Sequence, residues 1–175
     1  MRHHDYTLAV VEGVSGEKFA NYWLYGAHLL VDGKKMSKSK GNVYYPEDLA
    51  AKGYSREHVR FFLIYGHYRK RLNFTFKKLA GTSQKLDEFK DMVQDLRKAK
   101  SARPSERAKQ LVASIASGFE ENMDNDLEVK AAFDELYRTV SELHKLMKRG
   151  RLSAEDANVA IIDLHRVDSV LQVLF

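Results

Sequence analysis

The chain has 175 residues, 44% of them hydrophobic, with 29 Lys and Arg against 24 Asp and Glu for a net charge of +5. This suits one domain with at most a small appendage and excludes global disorder. With no cysteine, no apolar run near the roughly 20 residues of a membrane span and no signal-peptide core, disulfides, thiolate chemistry and membrane insertion are excluded, and a cytoplasmic protein is expected.

The elements follow from periodicity and breakers. Residues 4–13 predict a short helix. Tyr22 to Val31 is aromatic and aliphatic and runs into Asp32-Gly33, a hairpin-type turn, so a strand is expected at 27–31, with Trp23 as its core anchor. Residues 34–42 form a basic loop. Pro46 opens a short helix to Ala51, ended by Gly53, and Ser55 caps a helix to Tyr65. From Thr75 the pattern is helical, with Leu79, Leu86, Phe89, Val93 and Leu96 on one face. Pro104-Ser105 breaks it and starts a helix with Ala108, Leu111, Val112, Ile115 and Phe119 inward. Asp126 is expected to cap a helix carrying Val129, Phe133, Leu136, Val140, Leu143 and Met147, stopped by Gly150. Ser153 caps the last, with Ala157, Ile161, Leu164 and Leu171 inward. Leu86, Phe89 and Val93 are expected to face Leu136, Val140 or Leu143. The fold class is therefore mainly α: a small strand-containing module, then an antiparallel helical bundle.

Charge is uneven along the chain. Residues 1–109 hold 22 Lys and Arg and 12 Asp and Glu, a net of +10; residues 110–175 hold 7 and 12, a net of −5. A face made for a polyanion and a merely solvated surface both fit. Tyr68-Arg69-Lys70-Arg71 joins an aromatic ring to cations, a combination suited to RNA backbone. Lys77-Lys78 and the basic stretch 97–109 add charge that can meet phosphates. His67 is read as a hydrogen-bonded structural histidine, and His144 and His165 as packing residues. Glu120, Glu121, Asp124 and Asp126 read as an acidic helix end and cap rather than an acid–base pair.

The richest stretch in chemistry is Val31-Asp32-Gly33-Lys34-Lys35-Met36-Ser37-Lys38-Ser39-Lys40-Gly41-Asn42. Four lysines fall within seven residues, with two serines between them. Mobile ammonium groups can follow migrating negative charge, and hydroxyl and loop N–H groups can donate to phosphate oxygens. A basic surface loop or a localisation signal has the same composition. The order of residues is more specific: Lys35-Met36-Ser37-Lys38-Ser39, in its Leu30-Val31-Asp32-Gly33 and Gly41-Asn42 setting, resembles the signature loop of class I aminoacyl-tRNA synthetases.

Flanking residues narrow the resemblance to the cysteinyl-tRNA synthetases. His3-His4, Ala9, Glu12, Gly16, Phe19-Ala20 and Tyr22-Trp23 resemble the segment before that loop. Val59-Arg60-Phe61-Phe62-Leu63, His67-Tyr68-Arg69 and Leu72-Asn73-Phe74 resemble the first bundle helix and the turn after it. Phe119 with Met123-Asp124-Asn125-Asp126, and Val170-Leu171 with Val173-Leu174, are similar to later parts. The resemblance implies the end of a catalytic domain at 1–50 and a stem-contact, tRNA-binding bundle at 51–175. It implies ATP with Mg as substrate of the parent enzyme and tRNA as partner. Lys35 and Lys38 take the catalytic role on the pyrophosphate side, and Lys35, Met36, Ser37, Lys38 and Ser39 form the ATP-binding set. Nothing matches the family's His-x-Gly-His-type phosphate signature, so a missing N-terminal nucleotide-binding half is a further expected partner, and the chain is either a piece of a longer protein or a natural short relative. The family's zinc uses two cysteines, the first His of the pair and a Glu four residues on. Here Thr7 replaces that Glu, so no zinc is expected. Tyr25 and Ala27 also depart from the family at the active-site edge. The expected function is part of a cysteine–tRNA ligase, inactive alone; the alternatives are a non-catalytic tRNA- or protein-binding module and part of a cysteine ligase of mycothiol synthesis.

Overall fold

The computed structural model describes residues 2–101 and 105–175. In chain order the elements are α1 (Arg2–Ser15), β1 (Leu30–Val31), β2 (Lys34–Lys35), a 3-10 turn (Lys38–Lys40), α2 (Pro46–Ala50), α3 (Arg56–Ile64), β3 (Asn73–Phe74), α4 (Phe76–Leu96), α5 (Glu106–Asp124), α6 (Val129–Lys148) and α7 (Ala154–Leu171). The protein is mainly helical with one small sheet, as the sequence predicts.

The helix starts follow local chemistry. Ser55, Thr75, Ser105 and Ser153 each accept a hydrogen bond from the N–H three residues on, satisfying an orphan donor of the first turn. The break expected at Pro104 lies outside the described residues. Asp126, expected to cap α6, does not. Its φ is +55°, Leu127 follows at +58°, and Glu128 stands at the helix start without a side-chain cap. Two consecutive left-handed residues turn the chain sharply between α5 and α6, and the Asp126 side chain is thereby aimed away from the helix end.

The sheet is shorter than expected: pairing covers Leu30–Val31, not 27–31, and part of the basic loop is itself strand. β1 pairs antiparallel with β2 and parallel with β3, in the order β2-β1-β3. Asp32 at φ +48° and Gly33 at φ +74° make the tight turn that Asp-Gly predicts. A small core of Val31, Leu49, Phe62, Phe74 and Leu79 lies under the sheet, with Met36 and Tyr44 packed against it.

The main core lies between the long helices. The expected inward residues of α4 and α5 are buried. In α7 the inward set is Ala157, Ala160, Leu164, Val167 and Leu171; Ile161 is only half-buried. Phe61, Phe89 and Phe133 are at most 1% exposed, and their rings meet with centroids 4.4 Å (61–133) and 5.0 Å (89–133) apart. Consecutive α5 and α6 run antiparallel, with Asn122 donating to Glu135 at 2.9 Å. Gly118 permits that approach, since a Cβ there would lie 3.1 Å from the Glu135 carboxyl. The pairing of α4 with α6 is parallel instead: Lys85 bonds Asp134, Tyr137 bonds Glu88 and His144 bonds Asp95, each pair 49 residues apart. The two stripes do share one core, but the helices face each other head to head because α5 returns the chain between them. Past α7, the buried Asp168 carboxylate accepts the N–H groups of Val173, Leu174 and Phe175, and Arg60 of α3 donates to the Leu171 carbonyl at 2.6 Å.

Candidate functional site: a lysine loop and a tyrosine–arginine turn

Residues 67–74 run beside 27–32 in parallel. Ala27 N–H donates to the Tyr68 carbonyl, Leu30 N–H to that of Leu72 and Asp32 N–H to that of Phe74. The two stretches singled out in the sequence thus sit at opposite ends of one short strip: the turn 68–71 beside Ala27, and the lysine loop beyond Val31.

In the loop, Met36 and Ser37 are half-buried while Lys34, Lys35, Lys38, Ser39 and Lys40 are exposed. Met36 belongs to the small core, which pins the middle of the loop. Ser37 Oγ and Ser39 Oγ are 3.4 Å apart, and Gly41, at φ +63°, closes the 3-10 turn with its N–H on the Lys38 carbonyl. Among the described residues, none of the four lysines is in an ion pair; every such pair involves residue 58 or later. Four unneutralised ammonium groups on an anchored turn make a concentrated positive surface able to accept a polyphosphate.

The second stretch is built differently. Tyr68 and Arg69 both bond to a distant carboxylate, although the Arg69 side chain stays 64% exposed. Tyr68 donates its hydroxyl to Asp126 Oδ1 at 2.7 Å, and Arg69 Nε lies 3.0 Å from Asp126 Oδ2. Hydrogen bonding from Tyr68, and then from Arg69, holds the Asp126 carboxyl below the usual carboxylate range. His67 stacks on Tyr68 at 4.9 Å and accepts the Arg69 N–H at 3.2 Å, the structural role expected of it. This latch joins the turn to the α5–α6 loop and leaves Lys70 and Arg71 exposed, without an ion pair among the described residues. The acidic end read as a cap is therefore a docking point for the turn. Fifty-eight residues separate Tyr68 from Asp126, and no local signal announces the pair.

A third feature is a cation network at the joint of α3, α4 and α6. Lys85 bonds Asp134 and Tyr65 and stands over the Tyr65 and Tyr137 rings; Lys130 bonds Asp134 from the other side. Burial raises the Asp134 pKa, but the bonds from Lys130, Lys85 and Tyr65 outweigh it and hold the carboxyl at about 2. Its partners are all internal, so the network serves packing.

Three expectations are corrected here. Trp23 is 39% exposed and packs on His4, Phe19 and Tyr25 rather than in the core. His165 is exposed and stacks on Phe175, and His144 is half-buried with its ring nitrogen 2.9 Å from Asp95 Oδ2. Trp23 belongs to a wider exposed apolar surface on residues 6–25, with Tyr6, Val14, Tyr22 and Leu24 each more than 60% exposed. As for zinc, the residues present do not fit it. His3 and His4 lie on exposed α1, and Thr7, in place of a carboxylate four residues after His3, offers a hydroxyl that donates to the His3 carbonyl at 2.8 Å. No helix among the described residues is long and apolar enough to cross a membrane.

A family model of the class I (C) tRNA synthetase catalytic domain matches residues 1–85. Over 174 residues the chain is 37% identical to the cysteine–tRNA ligase of Chlamydia pneumoniae, covering 98% of this chain and 37% of that protein. Over 172 residues it is 34% identical to the cysteine–tRNA ligase of Brachyspira hyodysenteriae, covering 97% and 36%. The chain thus spans little more than a third of the length of the relatives it matches.

Proposed function

Because the chain belongs to the cysteinyl-tRNA synthetase family, we propose that it supplies the pyrophosphate-side loop and the tRNA-contacting bundle of a cysteine–tRNA ligase, working with a nucleotide-binding half and inactive without it. In this proposal residues 1–50 are the end of the catalytic domain and 51–175 the tRNA-binding bundle. In the reaction the amino acid carboxylate attacks the α-phosphorus of ATP. A carboxylate oxygen–phosphorus bond forms, the bond to the bridging oxygen breaks, and pyrophosphate leaves with that electron pair. Lys35 and Lys38 stabilise the charge that develops on the leaving side, while the Ser37 and Ser39 hydroxyls, on either side of Lys38, hold the phosphates.

The observation that carries this reading is the set of four exposed lysines around the anchored Met36, in no ion pair among the described residues. Lys70 and Arg71, free of the Asp126 latch, are the RNA-backbone contacts; Tyr68 and Arg69 hold the turn that presents them. The exposed aromatic surface of residues 6–25 is the face on which the nucleotide-binding half packs, as contiguous apolar exposure of this kind marks a partner site. A second reading, a non-catalytic tRNA- or protein-binding module, is favoured by one observation: Thr7 stands where a zinc ligand is needed and is spent on its own helix.

The test is ATP–pyrophosphate exchange with cysteine. The chain alone stays at background, because reacting groups held by one half only are not positioned. Mixing it with the part of the Chlamydia pneumoniae ligase that precedes the matched region raises exchange above background, and Lys38→Ala abolishes the gain. A mixture that stays at background favours the binding module, and exchange indifferent to Lys38→Ala overturns the loop assignment.

A further inference from the structure

Two side-chain amides tie down the lysine loop, and neither lies within the lysine–serine run. Asn42 Oδ1 accepts the Ser37 N–H at 2.9 Å, and its Nδ2 donates to the Lys35 carbonyl at 3.3 Å. Asn73, on β3, accepts the Gly33 N–H at 2.8 Å. The loop's own backbone bonds, Lys40 N–H to Ser37 and Gly41 N–H to Lys38, close the 3-10 turn without tying it to the residues before it. One side chain therefore bonds the main chain on both sides of Met36. An amide suits this position, since the Ser37 N–H needs an acceptor and the Lys35 carbonyl a donor, and Asn42 presents both on separate atoms.

The clamp opposes a physical difficulty. Lys34, Lys35, Lys38 and Lys40 repel one another, and no acidic side chain among the described residues pairs with them. An untied loop relaxes by spreading these charges, and a ligand must then meet the cost of gathering them again. With Met36 packed in the small core and Asn42 bonded to both its neighbours, Lys35 and Lys38 are held on either side of a fixed point.

We propose that Asn42 is a positioning residue of the lysine loop, pre-forming it as a polyphosphate acceptor, with Asn73 as its counterpart at the hairpin turn. This rests on reading the loop as a phosphate-binding element. It adds that affinity depends on an uncharged side chain outside the run as well as on the lysines.

The experiment uses the whole chain, with inorganic tripolyphosphate as probe at low salt, and compares wild type, Asn42→Ala, Asn42→Asp and Lys38→Ala. Amide exchange at Ser37, followed by NMR without ligand, reads the clamp directly. Asn42→Ala accelerates it about five- to tenfold, the loss expected for one hydrogen bond. Asn42→Asp, which keeps the acceptor for Ser37 but loses the donor for Lys35, retains most of that protection. Tripolyphosphate affinity falls about three- to tenfold in Asn42→Ala although no charge is removed. The thermal midpoint stays within a degree or two, because the clamp lies outside both cores. Unchanged Ser37 exchange in Asn42→Ala overturns the clamp; faster exchange with unchanged affinity overturns the positioning role. A wild-type chain that ignores tripolyphosphate, as Lys38→Ala then does too, removes the phosphate-binding reading and this role with it, while the Ser37 exchange separately records whether the clamp exists.

Discussion

Removing the charges of Lys70 and Arg71 is the sharpest test of the RNA-contact assignment. Both are exposed and outside any ion pair among the described residues, so each is free to neutralise one phosphate. Arg69 is left intact because its loss would also undo the Asp126 latch. Each phosphate contact adds roughly 0.7 to 0.9 to the slope of log affinity against log salt, so losing two flattens the slope by about 1.4 to 1.8. Over a fourfold rise in salt, from 50 to 200 mM, wild type therefore loses roughly seven- to twelvefold more affinity than Lys70→Ala/Arg71→Ala. The matched control is Lys145→Ala/Lys148→Ala. Lys145 lies 2.6 Å from Glu142, and Lys148 lies 3.4 Å from Asp95, so these cations are already neutralised within the protein. The assay is a titration of fluorescently labelled tRNA at four or more salt concentrations. Equal slopes for the two double variants would refute the reasoning, because net charge alone would then account for binding.

Two further outcomes follow from the joint of α3, α4 and α6. Phe133→Ala removes the ring on which Phe61 and Phe89 converge and costs about 3–5 kcal/mol. That lowers the thermal midpoint by roughly 6–20 °C for a chain of this size; a shift within error by calorimetry means that the core is misassigned. Asp134 is held at about 2 in the folded protein, against about 3.9 unfolded. Its contribution to stability is therefore present above about pH 4 and lost as pH falls through about 2. Urea midpoints at pH 5 and pH 2.5 should draw closer together in Asp134→Asn, and an unchanged difference would show that this carboxylate does not govern that limb.

Much of the architecture is legible without coordinates because its causes are local. Ser55, Thr75, Ser105 and Ser153 act on N–H groups three residues away. Asp32-Gly33 makes its turn from its own backbone preferences. Leu79, Leu86, Phe89, Val93 and Leu96 mark one helix face by spacing alone, and all are buried. The lysine loop is likewise contiguous, so composition and order place it and the family resemblance names it.

What the tertiary structure decided depends on which distant segments meet. Asp126 reads locally as a cap, but two left-handed residues turn it toward Tyr68 and Arg69, 58 and 57 residues away. Trp23 reads as a core anchor by size and hydrophobicity, yet the described residues leave it 39% exposed. The parallel match of α4 with α6 follows from α5 carrying the chain back between them, a crossing that periodicity within either helix does not encode. The same holds at the candidate site. Four lysines are visible in the sequence, but whether they are neutralised, which residue pins the loop and which cations of the 68–71 turn remain free are set by partners from other elements. Helix caps and periodicity act over a few residues of one segment, whereas ion pairs and side-chain clamps depend on where the folded chain brings separate segments together.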